Sequence, residues 1–186
     1  SLEVSAMPDT FLDELREVVR TVPNFPIEGI MFRDITPVLS RAGFLTKVID
    51  QFVEDIGKLG WNPDLIIGPE ARGFIFGPLV AERLGIGFVP VRKPGKLPAE
   101  TRRVEYTLEY GSNVLEMHKD AITEGQKVVI IDDLLATGGT ISACSELCHA
   151  AGADVLGALF LIELKGINAR ESIAPIEVHA LLEFPA

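Results

Sequence analysis

The sequence is poor in cysteine, histidine, tryptophan and positive charge, and no long apolar run crosses it. Two cysteines, Cys144 and Cys148, are too few for a disulfide framework or a cysteine-rich metal cluster. Four residues apart on an expected helix, they read as small buried apolar side chains and fit a reducing, cytoplasmic setting. The three histidines, His118, His149 and His179, show neither triad nor metal-ligand spacing and are read as structural or exposed. No stretch approaches the roughly 20 apolar residues of a transmembrane helix, so no membrane partner is expected. "SLEVSAM" lacks the basic start and apolar centre of a signal peptide. Residues 1–8 are set aside as a leader, in which the residues ahead of Met7 could be a cloning remnant, and 9–186 are read as a single domain. Two nucleotide fingerprints are missing, G-x-x-x-x-G-K-[ST] and G-x-G-x-x-G, which argues against a standard nucleoside triphosphatase and a dinucleotide-binding domain. With 17 Lys and Arg against 27 Asp and Glu, the net charge of −10 also argues against nucleic acid as a partner.

What positive charge there is gathers in one place. Residues 92–103, "RKPGKLPAETRR", hold Arg92, Lys93, Lys96, Arg102 and Arg103 against a single Glu100. A basic, Pro- and Gly-containing loop on an acidic chain suits a small specific anion, a solvated surface loop being the plainer alternative.

Hydrophobic periodicity organises the rest. Phe11, Leu12, Leu15, Val18 and Val19 make one stripe of a helix over 9–20, with Asp9 as its N-cap. Residues 21–40 read as an irregular segment, long enough to suggest function. Further helices are expected over 42–58, from just after Arg72 to about Leu84, and over 138–151. Strands are expected at 64–67, 87–91, 127–132, 154–164 and 176–183, with an antiparallel pair between 104 and 119. Alternating helices and near-continuous apolar strands predict an α/β domain whose mainly parallel, twisted sheet is flanked by helices. Ligands then bind at the carboxyl ends of the strands, which brings the turns at 68–72 and 132–140 toward one crevice.

The second of those turns is the most informative stretch. In "VVIIDDLLATGGT", 128–140, a buried strand runs into Asp132 and Asp133, and Gly138, Gly139 and Thr140 follow where a helix begins. The first amides of a helix carry partial positive charge, glycines allow close approach, and threonine hydroxyls donate, all of which suits a phosphate monoester. Carboxylates repel phosphate, so the aspartates serve another group: vicinal sugar hydroxyls or a Mg²⁺ ion. A phosphorylated sugar satisfies both halves; helix capping alone is the lesser alternative.

With these residues in view, the stretch resembles the phosphoribosyl pyrophosphate motif of type I phosphoribosyltransferases. "NFPIEGIMFRDITPVL" (24–39), "GPEARGFIFGP" (68–78), "VRKPGKLP" (91–98), "LEYG" (108–111) and "DDLLATGGT" (132–140) together resemble the family's adenine-using members, in order and spacing, from about residue 9 onward. The resemblance implies the type I fold, with a small N-terminal hood and a flexible lid loop. It implies transfer of phosphoribosyl from phosphoribosyl pyrophosphate to adenine, giving AMP and pyrophosphate, in a cytoplasmic homodimer.

By the same resemblance, Ala136, Thr137, Gly138, Gly139 and Thr140 cradle the 5′-phosphate, and Asp132 and Asp133 hold the ribose hydroxyls. Glu70, Ala71 and Arg72 form the pyrophosphate loop, with a cis peptide expected at Glu70–Ala71; animal members more often carry Asp-Ser there. Arg92, Lys93 and Lys96 would neutralise the leaving pyrophosphate, Arg92 in its own or the neighbouring subunit's site. Main-chain groups around Met31, Phe32 and Arg33 would read the 6-amino edge, with Phe32 and Leu134 sandwiching the ring. Glu109 is the expected acid/base near N7, and Tyr110 would help close the lid. Mg²⁺ is the implied cofactor, held mainly through substrate and water, with Asp132 the candidate protein contact. Two rivals keep this fold: a regulator that binds the sugar without turnover, which no DNA-binding extension supports, and a transferase for xanthine or orotate, which residues 24–36 argue against.

Overall fold

The structure, a computed structural model, describes residues 10–107 and 111–186. The chain divides into two compact units, residues up to Gln51 and Phe52–Ala186.

The first unit opens with α1 (Phe11–Val18). Its N-cap is Thr10, whose hydroxyl accepts from the Asp13 N–H at 3.2 Å. Asp9, the cap expected from the sequence, lies outside the described residues. The segment 21–40, expected to be irregular, instead holds an antiparallel pair, β1 (Arg20–Pro23) and β2 (Met31–Asp34), followed by the short α2 (Thr36–Ser40). The strands are four residues each with little alternation in burial, so no period-2 signal betrays them. Asn24 at φ 55° and Gly29 at φ 87° turn the connecting loop, and the Asn24 side chain accepts from the Gly29 N–H at 2.9 Å. The helix α3 (Phe44–Lys58) begins in this unit. There Phe44 meets Phe11 at a tilt, with centroids 5.8 Å apart, and carries Arg41 over its ring at 4.5 Å.

The second unit is built on a five-stranded, wholly parallel sheet in the order β4-β3-β7-β8-β9. Its strands are β3 (Leu65–Pro69), β4 (Gly87–Val91), β7 (Lys127–Leu135), β8 (Asp154–Lys165) and β9 (Val178–Pro185). The helices α4 (Gly73–Leu84) and α5 (Gly139–Ala150) follow β3 and β7, and a single turn, α6 (Ala169–Ser172), follows β8. Between β4 and β7 lies an antiparallel ribbon, β5 (Thr101–Thr107) with β6 (Ser112–His118).

Both faces of the sheet are dry. On one, Val128 and Ile130 of β7 pack with Ile141, Cys144, Leu147 and Cys148 of α5, so the cysteines are buried free thiols as the sequence suggested. Burial pushes the Cys148 thiol up to about 12. On the other, Val129 and Ile131 are fully buried, and α4 sets Phe76 edge-on to Phe52 at 5.9 Å. Gly157 of β8 lies under Trp61, where a Cβ would come within 2.3 Å of the indole. Of the histidines, His179 pairs with Asp55 at 2.7 Å, His118 accepts from the Ala99 N–H at 3.3 Å, and His149 is exposed.

The sheet order positions the site. Strands β3 and β7 are neighbours, tied at their start by Lys127 N–H to the Asp64 carboxylate, 2.8 Å. Their two following turns therefore open at the same carboxyl end of the sheet.

Candidate active site

The sequence places Asp132 and Asp133 at the end of a strand running to 132; β7 in fact continues to Leu135. Its parallel neighbour β8 keeps pairing with it, Asp132 with Phe160, Leu134 with Ile162 and Leu135 with Glu163. The ladder fixes both aspartates on rigid backbone, their side chains on opposite sides of the pleat.

The two carboxylates have different surroundings. Asp133 is only 6% exposed, and the Arg72 Nε donates to it. Asp132 is partly buried, and its Oδ1 accepts the Asp133 N–H at 2.8 Å. Burial, followed by the charge of Asp133, pushes the Asp132 carboxyl up to about 8. The ionised form of this side chain is therefore disfavoured in the fold. Gly73, the first residue of α4, makes room for the arrangement: a Cβ there would sit 3.0 Å from the Ile131 carbonyl and 3.4 Å from Asp132 Oδ1.

Beyond Leu135 the chain turns through Ala136–Thr137 to Gly138, the N-cap of α5, at φ 91°. Glycine is required here both by that φ and by Ile173, whose Cγ2 would lie 2.6 Å from a Cβ. The first intrahelical bond from the cap is Ser142 N–H to the Gly138 carbonyl, 2.9 Å, so the amides before it point out of the helix end. With Arg72 and the aspartates these residues line a hollow open to solvent. The arrangement offers helix-end amides and hydroxyls for an anion beside carboxylates for hydroxyl groups.

The turn after β3 carries the expected cis peptide at Glu70–Ala71. Glu70 faces the basic loop: its Oε1 accepts the Lys93 N–H at 2.8 Å and the Arg92 Nε at 3.3 Å. Arg92 also lies over the Phe74 ring at 5.8 Å. Lys93 and Lys96 are exposed. The structure thus brings Arg92 to Glu70 and leaves the two lysines in solvent. Glu109 and Tyr110 lie outside the described residues.

Sequence reasoning passed over two side chains here. Glu116 of β6 is buried and accepts from Thr101 Oγ1 at 2.6 Å and from the Gly95 N–H at 2.9 Å, bonds that hold its carboxyl below the usual range. It anchors the basic loop from beneath. Tyr106 lies along Gly139, where a Cβ would meet its ring at 3.5 Å. Both alternate like ordinary ribbon residues, so nothing in the sequence separates them from their neighbours.

The expected base-reading residues fall in both units. In the first, Phe32 meets Phe25 edge-on at 5.1 Å, Arg33 Nη1 donates to Thr21 Oγ1 at 2.6 Å, and Met31 is exposed. Val22, Phe25, Phe32 and Asp34 line a mostly apolar hollow open to solvent. In the second, Leu134 is half-buried on β7.

Comparison with known proteins agrees with this geometry. Residues 39–179 match the family model described as the phosphoribosyl transferase domain. The chain is 51% identical over 171 residues to adenine phosphoribosyltransferase of Alkaliphilus oremlandii, covering 92% of this chain and 98% of that one. The crystal structure of the Thermoanaerobacter pseudethanolicus adenine phosphoribosyltransferase is similar with a TM-score of 0.89 at 50% identity, covering 93% of this chain and 99% of that one. That of Saccharomyces cerevisiae, complexed with adenine and an imino-altritol bisphosphate, also reaches 0.89, at 42% identity over 92% of this chain and 98% of that one.

Proposed function

Because the chain belongs to the phosphoribosyltransferase family, and within it to the adenine phosphoribosyltransferases, we propose that it converts adenine and phosphoribosyl pyrophosphate to AMP and pyrophosphate. The observation that carries this reading is the carboxylate pair on β7 set directly before a glycine-capped helix end.

The 5′-phosphate sits on the loop Ala136–Thr140 and the outward amides of α5. Asp132 accepts from the ribose hydroxyls, and Asp133, held by Arg72, fixes the strand end beside it. As the bond from the anomeric carbon to pyrophosphate oxygen breaks, its electrons leave with the pyrophosphate. Arg92, Lys93 and Lys96 neutralise that charge, with Arg72 and the Glu70–Ala71 turn below it. Arg92 must first leave Glu70, which holds it in the absence of another anion. N9 of adenine then closes on the sugar carbon, and Glu109 takes the proton the purine gives up. Met31, Phe32 and Arg33 read the base, and Leu134 packs on it. A 6-oxo purine presents an acceptor where the 6-amino group donates, leaving buried groups unpaired. Tyr110 helps close the lid over the reacting atoms.

The residues fit a Mg²⁺ ion. Asp132 is a carboxylate whose ionised form is disfavoured and gains from a cation nearby. Among the described residues no three His, Cys, Asp or Glu side chains gather to hold one directly; Asp132 would be the protein contact, with substrate oxygens and water as the other ligands. When bound, the ion supplies charge neutralisation for the pyrophosphate group. The enzyme works as a cytoplasmic homodimer, in which Arg92 serves its own or its partner's site; no helix among the described residues is long and apolar enough to cross a membrane.

Incubation with phosphoribosyl pyrophosphate, Mg²⁺ and each of adenine, hypoxanthine, xanthine and orotate tests the reading. AMP from adenine, with the other bases left unconverted, is expected. Tight binding of phosphoribosyl pyrophosphate with no base converted would identify a non-catalytic binder instead.

A further inference from the structure

An ion pair next to the cradle has no part in the chemistry above. Glu163, near the end of β8, is 3% exposed, one of few charged side chains so deeply buried. Arg170 of α6 grips it with a fork: Nε at 3.0 and 2.9 Å from the two carboxylate oxygens, and Nη2 at 2.8 Å. Lys165 stands 3.7 Å away and turns also to Glu183, at 3.3 Å. The fork holds the Glu163 carboxyl below its usual range and the Arg170 guanidinium above its own.

Both ends of this pair lead to the cradle. Glu163 is the ladder partner of Leu135, the last residue of β7 before the loop 136–140. Arg170 belongs to the turn whose flanking side chains, Ala169 at 3% and Ile173 at 4% exposure, press on Gly138. A Cβ on Gly138 would meet Ile173 Cγ2 at 2.6 Å, the Ala169 carbonyl at 3.6 Å and Ala169 Cβ at 3.9 Å. Four residues make a helix too short to hold its own shape. The fork, a half-exposed Arg170 on a buried Glu163, supplies what the helix cannot, by anchoring α6 to the strand beside β7.

We propose that Glu163 and Arg170 are positioning residues that clamp α6, through Ile173, against Gly138 and so set the phosphate cradle for its ligand. The proposal rests on reading Ala136–Thr140 as the 5′-phosphate site. A cradle whose N-cap glycine shifts presents its amides at the wrong distance, and the effect falls on ligands that carry the phosphate. Adenine has no phosphate and makes no use of this loop.

The test measures AMP affinity by calorimetry, together with kcat and the KM of each substrate. The variants are Arg170→Ala, Arg170→Lys, Ile173→Ala and Ile173→Val. Arg170→Ala and Ile173→Ala are expected to weaken AMP binding and raise the KM for phosphoribosyl pyrophosphate about tenfold, with kcat and the KM for adenine within about twofold. Ile173→Val keeps Cγ2 and should behave as wild type, and Arg170→Lys, which keeps the charge without the fork, should fall between. If Arg170→Ala does not fold, Arg170→Lys and Ile173→Ala decide. Folded Arg170→Lys and Ile173→Ala that bind AMP as tightly as wild type would overturn the clamp. So would losses spread equally over adenine, phosphoribosyl pyrophosphate and kcat. A wild-type protein that does not bind AMP would remove the phosphate reading itself, a different result from either.

Discussion

Asp132 is expected to destabilise the ligand-free protein, and replacing it by asparagine should reveal by how much. In the unfolded chain its carboxyl ionises near 3.8, whereas in the fold it retains its proton up to about 8. Below pH 4 both states are protonated and the residue is neutral in stability. Between pH 4 and 8 the unfolded state loses a proton that the folded state keeps, so stability falls as pH rises, by at most about 1.4 kcal/mol per unit. At pH 7 that ceiling is about 4 kcal/mol, and discounting by half for water reaching a partly exposed carboxyl leaves about 2 kcal/mol. The Asp132→Asn side chain would keep the Oδ1 acceptor for the Asp133 N–H and remove the charge. For a chain of this length, about 2 kcal/mol corresponds to a Tm about 4–8 °C higher. Thermal melts of Asp132→Asn and wild type at pH 5, 6, 7 and 8, without ligand, check this. The gap should widen steadily with pH. A gap that stays constant, or a variant less stable than wild type at pH 8, would refute the assignment of an ionisation penalty to this side chain.

Gly138→Ala should weaken AMP binding at least tenfold and lower stability by about 1–3 kcal/mol, because the added methyl meets Ile173 at 2.6 Å in a backbone of φ +91°; calorimetry and melts read both. Glu109→Ala is expected to cut turnover far more than AMP affinity, measured by stopped assays alongside calorimetry, and equal losses in both would move Glu109 from chemistry to binding. Glu116→Ala removes the acceptor for Thr101 and Gly95, so the loop 92–100 should be cleaved by trypsin several times faster than in wild type, with the cuts mapped by mass spectrometry.

The parts of the molecule legible in sequence are those where one local rule suffices. The run 128–131 is apolar because both its faces are covered, and Gly138 follows from a turn whose positive φ favours glycine. The Glu70–Ala71 turn was readable through family resemblance alone. The hairpin Arg20–Asp34 was not, because strands that hide so little of themselves carry no periodic pattern. Nor was the extension of β7 beyond Asp132 to Leu135, which depends on how long β8 continues beside it. Glu116 and the Glu163–Arg170 fork were equally invisible, since a charged residue looks the same in sequence whether it faces water or is matched by a distant partner.

The bond between Arg72 and Asp133 joins positions 61 residues apart in the chain. The strands beneath them are parallel, and no short turn can bring such strands together; β4, the ribbon and the crossover must be threaded first. No stretch shorter than the span from Arg72 to Asp133 holds both sides of the pocket. A ligand that bridges them therefore favours the complete fold over any part of it, by an amount that grows with its concentration.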